Sequence, residues 1–337
     1  MESNGILVSL CFPTCNRGQM IKSILDHYLS CSEFDCKVEI VISDNASTDS
    51  TKQLVTDYIL DNPTRHIRYY RNDTNIGTLN FFESMKHAQG KYIKLCNDYL
   101  YIDDEGLKTI KDFVAQTPDN VALFFYDNLR ERNNGCVRLH NVDKFIHLVN
   151  NKMTWISNFG CWKRDILTLE TYTKSEPKVN GHIIQTAFWS LFLVDSYEET
   201  IIVDFHSNHC LPVPNSKRVL TYNFFTPHVV YYYDLIDDYV KQGKVTKQTI
   251  LLDKERLLSD FVGYKIVEYL ILRRNCPYDL SGSWSLIFKY FGKIPYFYYI
   301  IPRLALDIGL YLPLRKKAIC FLKKMGIFEQ CKKLLKK

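Results

Sequence analysis

Short apolar runs and helix-period stretches alternate four times over the first 116 residues, and that alternation constrains the fold more than any other feature. The runs lie at 6–12, 38–42, 67–70 and 92–96 and have the make-up of buried strands. The stretches at 20–29, 49–60, 79–88 and 104–116 carry apolar residues at helical spacing. In the first of them Met20, Ile21, Ile24, Leu25, Tyr28 and Leu29 share one face. A strand followed by a helix and another strand must cross over before pairing. The expected class is therefore α/β, a mainly parallel sheet flanked by helices. Pro13 is expected to stop the first strand and Gly90 to close the third helix as a C-cap. Ligands of such sheets bind beyond the carboxyl ends of the strands, so the residues directly after each strand decide what the chain can do.

Four polar clusters stand there. They are Pro13-Thr14-Cys15-Asn16-Arg17, then 43–49 with Asp44, Asn45, Ser47 and Asp49, then 71–80 with Asn75, Gly77 and Asn80, and last Asn97-Asp98-Tyr99. Taken singly, each is a turn or a helix cap; Ser47 and Asp49 suit a cap, and Asp103 and Asp104 suit a helix N-terminus. Taken in order, each after a parallel strand, they converge on one edge of one sheet. No GxGxxG follows the first strand, which excludes a dinucleotide-binding dehydrogenase. A nucleotidyltransferase would want a Gly-rich basic loop there, and residues 13–18 hold one Arg and one Gly.

The ordered set resembles the family 2 glycosyltransferases, GT-A fold enzymes with nucleotide-sugar donors, and among them the bacterial enzymes that build capsule, O-antigen and other surface polysaccharides. The resemblance covers residues 5–110, weakens towards 205 and stops there. It implies a donor site formed by Pro13, Thr14, Asn16, Arg17, Asp44, Asn45, Ser47, Asn75, Gly77, Asn80, Asn97 and Asp98, with Asp44 accepting from the base N–H. It implies inverting transfer, with a UDP-sugar the expected donor and a divalent cation, Mg²⁺ or Mn²⁺, as cofactor. Where the family has Asp-x-Asp, this chain has Asn97-Asp98-Tyr99, so one carboxylate remains. The implied metal contacts are Asp98, Tyr99 and His206, with His209 nearby. The family's acidic base is also replaced: residues 175–185 offer His182, at the expected start of a helix, and Glu176. Catalysis is therefore assigned to His182, Glu176 and Asp98. Trp155, Asn158 and Trp162 read first as core packing and second as a plate for a sugar ring.

Beyond residue 121 the alternation loosens, with a strand at 201–205 and the most linker-like stretch at 210–215. The expected division is a transferase domain at 1–215 and a helical, aromatic, basic region at 216–337, with helices at 225–241 and 246–274. The whole chain carries +6, and residues 315–337 alone hold nine Lys/Arg against one Glu. The basicity belongs to the tail. Apolar residues at 318, 321, 322, 325 and 328 share one helical face there, the pattern of a helix lying on an anionic membrane surface. No basic nucleic-acid module accompanies it, so no nucleic acid partner is expected. The longest uncharged run in the middle of the chain, 183–194, has twelve residues and is too short to span a bilayer. With no leader pattern at the start and eleven cysteines without a CxxC pair, a reducing cytoplasmic setting at the inner face of the membrane is expected, with no zinc site. The acceptor implied by the resemblance is a glycan or a polyprenyl-diphosphate-linked glycan. The rival reading is a non-catalytic nucleotide-sugar-binding scaffold subunit of a membrane glycan assembly complex.

Overall fold

The computed structural model describes residues 5–126, 129, 135–212, 220–311, 313, 314 and 316. Its contacts divide the chain into two units, Met1–Ser216 with Tyr232–Thr246, and Lys217–Tyr231 with Lys247–Lys337.

The first unit alternates as expected: β1 (Val8–Thr14), α1 (Gly18–Ser30), β2 (Val38–Asp44), α2 (Thr51–Asp61), β3 (Ile67–Arg71), α3 (Leu79–Lys86) and β4 (Tyr92–Leu95). It continues with β5 (Leu100–Ile102), α4 (Asp104–Gln116), β6 (Ala122–Tyr126), β7 (Cys136–Leu139) and α5 (Val142–Val149). It closes with β8 (Gly160–Trp162), α6 (Ile166–Ser175), α7 (Gln185–Ser196), β9 (Thr200–Asp204), β10 (Asn208–Cys210) and α8 (Tyr232–Lys241). The main sheet has the order β3-β2-β1-β4-β8; the first four strands are parallel and β8 runs against β4. Every residue of β1 and β2 is buried, which is why both read as continuous apolar runs. A second sheet, β6-β9-β7, and a β10-β5 pair complete the unit.

Register puts Thr14 opposite Asp44 and Asp44 opposite Arg71, one row across the carboxyl edge of three strands. Pro13 does not stop β1; it lies inside the strand, opposite Ser43. The Cys11 carbonyl accepts from Cys96 on the β4 side and the Thr14 carbonyl from Asn45 on the β2 side. Alternation turns Pro13 toward β4, whose pairing with β1 ended at Leu95, so no ladder bond is lost. Gly90 is likewise no C-cap. α3 ends at Lys86 and is capped by His87, and a Cβ on Gly90 would meet Ser9 Oγ at 2.6 Å, so close approach to β1 requires the glycine.

At the opposite, amino edge of the sheet sits a buried carboxylate. Glu39, the second residue of β2, has no exposed surface. Its Oε1 accepts from Ser9 Oγ at 2.5 Å and from the backbone N–H groups of Gln89 and Gly90, and its Oε2 faces Arg68 Nε at 3.4 Å. This cluster ties β1, β2, β3 and the turn into β4 together.

The second unit is helical apart from two short parallel segments, Leu220–Asn223 and Tyr278–Asp279. Its helical run from Lys247 to Ile271 includes π-helical turns at Leu258–Val262 and Ile266–Ile271. Helices Ser283–Phe291 and Pro295–Leu306 follow, the second opening on a proline at its first turn. Among the described residues no helix is long and apolar enough to cross a membrane. The cysteines of the described residues are unbridged. The basic tail at 315–337, residue 316 apart, and residues 213–215 of the linker-like stretch lie outside the described residues.

Candidate functional site

Strand order reverses between β1 and β4: the chain builds outward from β1 through β2 and β3, then returns to β1's other side. A crevice opens at the carboxyl ends of two strands whose connections leave in opposite directions. The first and fourth polar clusters meet there. Thr14 Oγ1 donates to Asp98 Oδ2 at 2.8 Å, Arg17 Nη1 lies 3.4 Å from Asp98 Oδ1, and the Arg17 guanidinium stands 5.5 Å over the Tyr99 ring. The side chains of Arg17 and Asp98 keep 28% and 12% exposure, so the pair is open to a ligand. Burial and the neighbouring Asp98 raise the Tyr99 phenol's pKa, which keeps it a neutral hydroxyl.

The second and third clusters are braced against each other. Asn16, in the left-handed region at φ +54°, donates its backbone N–H to Ser47 Oγ and accepts at Oδ1 from Thr48 N, 2.7 Å away. Asn45 donates to Asn75 Oδ1 at 2.9 Å and to the Gly77 carbonyl, and accepts from Ile76 N. Gly77 takes φ +61°, which a residue with a Cβ rarely adopts. Asn80 is buried; it donates to the Ser43 carbonyl and accepts from Ser43 Oγ and Asn72. These amides hold the rim in one shape.

Asp44 has no exposed surface. Its Oδ1 accepts from Ser47 N at 2.9 Å; its Oδ2 accepts from the Tyr69 hydroxyl at 2.5 Å and lies 3.5 Å from Arg71 Nε. Arg71 also donates to the Ser47 carbonyl. Burial and Asp44 push the Tyr69 phenol well above its usual range. A base N–H reaches this carboxylate only if Tyr69 swings aside. Tyr69 and Arg71 are absent from the residues expected at the site, and the signal was strand register: Arg71 ends β3 directly opposite Asp44.

The turn between α6 and α7 joins the rim where Thr78 Oγ1 donates to the Gly181 carbonyl at 2.6 Å. His182 does not open α7; the helix starts at Gln185, because Gly181 at φ +70° ends a turn first. The Ile184 N–H donates to His182 Nδ1 at 3.2 Å, which places the neutral ring's proton on Nε2. Burial lowers the pKa of this imidazole. Glu176 is exposed at the C-cap of α6.

β10 pairs with β5, and the Leu211 N–H donates to the Tyr99 carbonyl at 2.9 Å, so residues 208–211 run beside the strand that follows Asp98. Within this segment's surroundings His206 pairs with Asp204 at 3.0 Å and His209 with Asp103 at 2.7 Å. Trp162 is core: its indole donates to the Val121 carbonyl and packs edge-on to Tyr92. Asn158 is buried, whereas Trp155 is exposed. As to a metal, no group of three His, Cys, Asp or Glu side chains among the described residues could hold one. Asp98 supplies one carboxylate already faced by a guanidinium, so a divalent ion here would need phosphate oxygens and water for most of its shell.

The profile described as glycosyl transferase family 2 matches residues 9–174. Abequosyltransferase RfbV of Salmonella typhimurium is 29% identical over 157 residues, 44% of this chain and 45% of that protein. The uncharacterized glycosyltransferase MG025 of Mycoplasma genitalium is 29% identical over 124 residues, 36% and 41% of the two chains. The chain thus spans less than half the length of these curated relatives. Among solved structures, S. aureus TarS 1–349 in complex with UDP is similar in fold, with a TM-score of 0.53 and 14% identity over 90% of this chain and 87% of that one.

Proposed function

We propose, residues 9–174 being a glycosyl transferase family 2 domain, that the chain moves a sugar from a nucleoside diphosphate donor, a UDP-sugar, to a lipid-linked or polysaccharide acceptor in cell-surface glycan assembly. The observation that carries this reading is the Thr14–Asp98–Arg17 cluster at the β1/β4 reversal, polar, part-open and held on rigid strands. The similar fold of TarS was solved with UDP, which supports the choice of donor. Work at the inner face of the membrane suits a lipid-linked acceptor.

In the proposed reaction an acceptor oxygen attacks the anomeric carbon from the side opposite the diphosphate. The new C–O bond forms as the bond to the diphosphate breaks, the configuration inverts and the acceptor's proton passes to a base. Arg17 faces the departing diphosphate, and a fixed cation aimed at developing charge is the large electrostatic contribution in such sites. Thr14, Asn97 and Asp98 position the donor, and Asp44, with Tyr69 displaced, accepts from the base N–H. Asn16, Asn45, Ser47, Asn75, Gly77 and Asn80 keep the rim in its binding shape. A divalent cation, when bound, would be held by Asp98 with the diphosphate and would neutralise phosphate charge; Tyr99 and His206 are the further contacts to test.

A thermal-shift screen with UDP-, GDP-, dTDP- and CMP-sugars, with and without Mg²⁺ or Mn²⁺, tests the donor assignment. A UDP-sugar at about 100 times its Kd should stabilise the fold by roughly 2.7 kcal/mol, and the other nucleotides by much less. No shift with any nucleotide sugar would count against the reading; a shift without turnover would favour the scaffold.

The acceptor end is assigned to the turn at 176–184, with His182 and Glu176 as its two bases to test. His182 takes a proton only when the Ile184 contact opens and frees Nδ1. Its lowered pKa keeps the ring neutral at pH 7, so activity should hold through neutral pH and fall only at a pH below histidine's ordinary range, as the ring protonates. His182→Gln should cut kcat by about 10²-fold or more and remove that acid limb. An intact limb in His182→Gln would move the base to Glu176.

A further inference from the structure

We infer that the second unit carries its own membrane-docking face, on helices Ser283–Phe291 and Pro295–Leu306, and that its partner is an anionic lipid surface. Trp284 and Phe288, one helical turn apart, stack at 5.8 Å and are 41% and 50% exposed. Phe288 packs edge-on at 5.9 Å against the buried Phe297, whose ring lies 5.2 Å from that of Tyr298, so a buried ring joins the two helices beneath their exposed aromatics. Tyr298, Tyr299 and Leu306 stand along the second helix, all more than half exposed. Large exposed aromatic and apolar side chains grouped on two neighbouring helices mark a contact site.

Charge decides which contact. From residue 280 to 306 there is no Asp or Glu, while Lys289, Lys293 and Arg303 are all exposed. Aromatic rings with polar edges beside Lys289 and Lys293 match the headgroup layer of an anionic bilayer, where rings enter the interface and cations meet lipid phosphates; Arg303 has Asp307 one turn away. The Tyr298 hydroxyl donates to the Gly292 carbonyl and Arg303 donates to the Tyr299 hydroxyl, which fixes the direction of these side chains. The face belongs to described, ordered helices and does not depend on the basic tail. This inference rests on the reading of the chain as a transferase working at a membrane and names the surface that brings it there.

The test uses the full chain and vesicles of phosphatidylcholine, alone or with about a third phosphatidylserine. The protein should sediment with the anionic vesicles, and lipids brominated in their acyl chains should quench its fluorescence. In a Trp155→Phe background, Trp284→Phe should abolish most of that quenching, since the remaining Trp162 and Trp189 are buried. Trp284→Ser with Phe288→Ser should weaken vesicle binding by about tenfold or more. Lys289→Glu with Lys293→Glu should weaken it on anionic vesicles and leave the neutral ones unchanged. Unchanged vesicle binding in both double variants would overturn the proposal in favour of the tail. A vesicle-independent dimer of the parent, broken by Trp284→Ser with Phe288→Ser, would overturn it in favour of a second copy. Both double variants should keep the donor thermal shift, so a failure here leaves the transfer reading standing, and a failure of the donor screen leaves this one standing.

Discussion

Asp98→Ala should lower kcat/KM by about 10²–10³-fold and leave the melting temperature close to that of the parent chain. The separation of the two effects follows from where the side chain sits. Asp98 keeps 12% exposure at the crevice and meets the buried Arg17 Nη1 at a long 3.4 Å, so its loss should cost roughly 1–2 kcal/mol of stability. Its place in the reaction is different. It orients Thr14 through a 2.8 Å hydrogen bond and sets where Arg17 stands, and it is the lone acidic side chain left where the resemblance implies two. Asp98→Asn, which keeps an acceptor for Thr14 and loses the charge, should fall between the two enzymes in rate. Steady-state kinetics beside thermal melts reads both quantities. Full turnover in Asp98→Ala would remove this residue from the chemistry.

Glu39→Ala should do the reverse: a large loss of stability with little change in the rate of the protein that remains folded. The substitution removes the acceptor of the buried Ser9 hydroxyl and of the Gln89 N–H, leaves the Gly90 N–H on Ser9 Oγ alone, and leaves a void in β2. Buried groups stripped of a charged partner cost roughly 3–5 kcal/mol, enough to lower the melting temperature by about 10 °C. Arg68 is 31% exposed and can turn to solvent, so it adds little to the cost. Glu39→Gln keeps an oxygen toward Ser9 and Gly90 and should lose about half as much. Urea melts with activity measured below the transition separate stability from rate. An unchanged midpoint for Glu39→Ala would mean that the polar cluster contributes nothing net.

These two carboxylates show how much of the molecule was legible in the amino-acid order. The parallel sheet was, because four apolar runs separated by helix-period stretches leave few other solutions. So was the gathering of four polar clusters, since every parallel strand delivers its following loop to the same edge. Features that depend on a partner distant in sequence were not legible. Gly90 looked like a helix cap, and only the approach of Ser9 reveals why it lacks a side chain. Pro13 looked like a strand stop, and only the early end of β4 makes it harmless inside one. Tyr69 looked like an ordinary strand residue and Arg71 like the first residue of the third polar cluster, until register set Arg71 opposite Asp44 and the Tyr69 hydroxyl reached the same carboxylate. Glu39 did leave a trace: a carboxylate between Val38 and the apolar run 40–42 of a buried strand must have partners, although nothing local says which.

The interlocked amides of the rim bear on how such a chain can change its ligand. Asn16, Asn45, Asn75 and Asn80 each serve two loops at once. Altering one removes support from a neighbour, so single replacements there should combine non-additively, and drift at these positions is admissible only in concert. New sugar preference would then evolve at positions outside that lattice, such as Asn97 or the 206–211 segment, where one exchange leaves the frame intact.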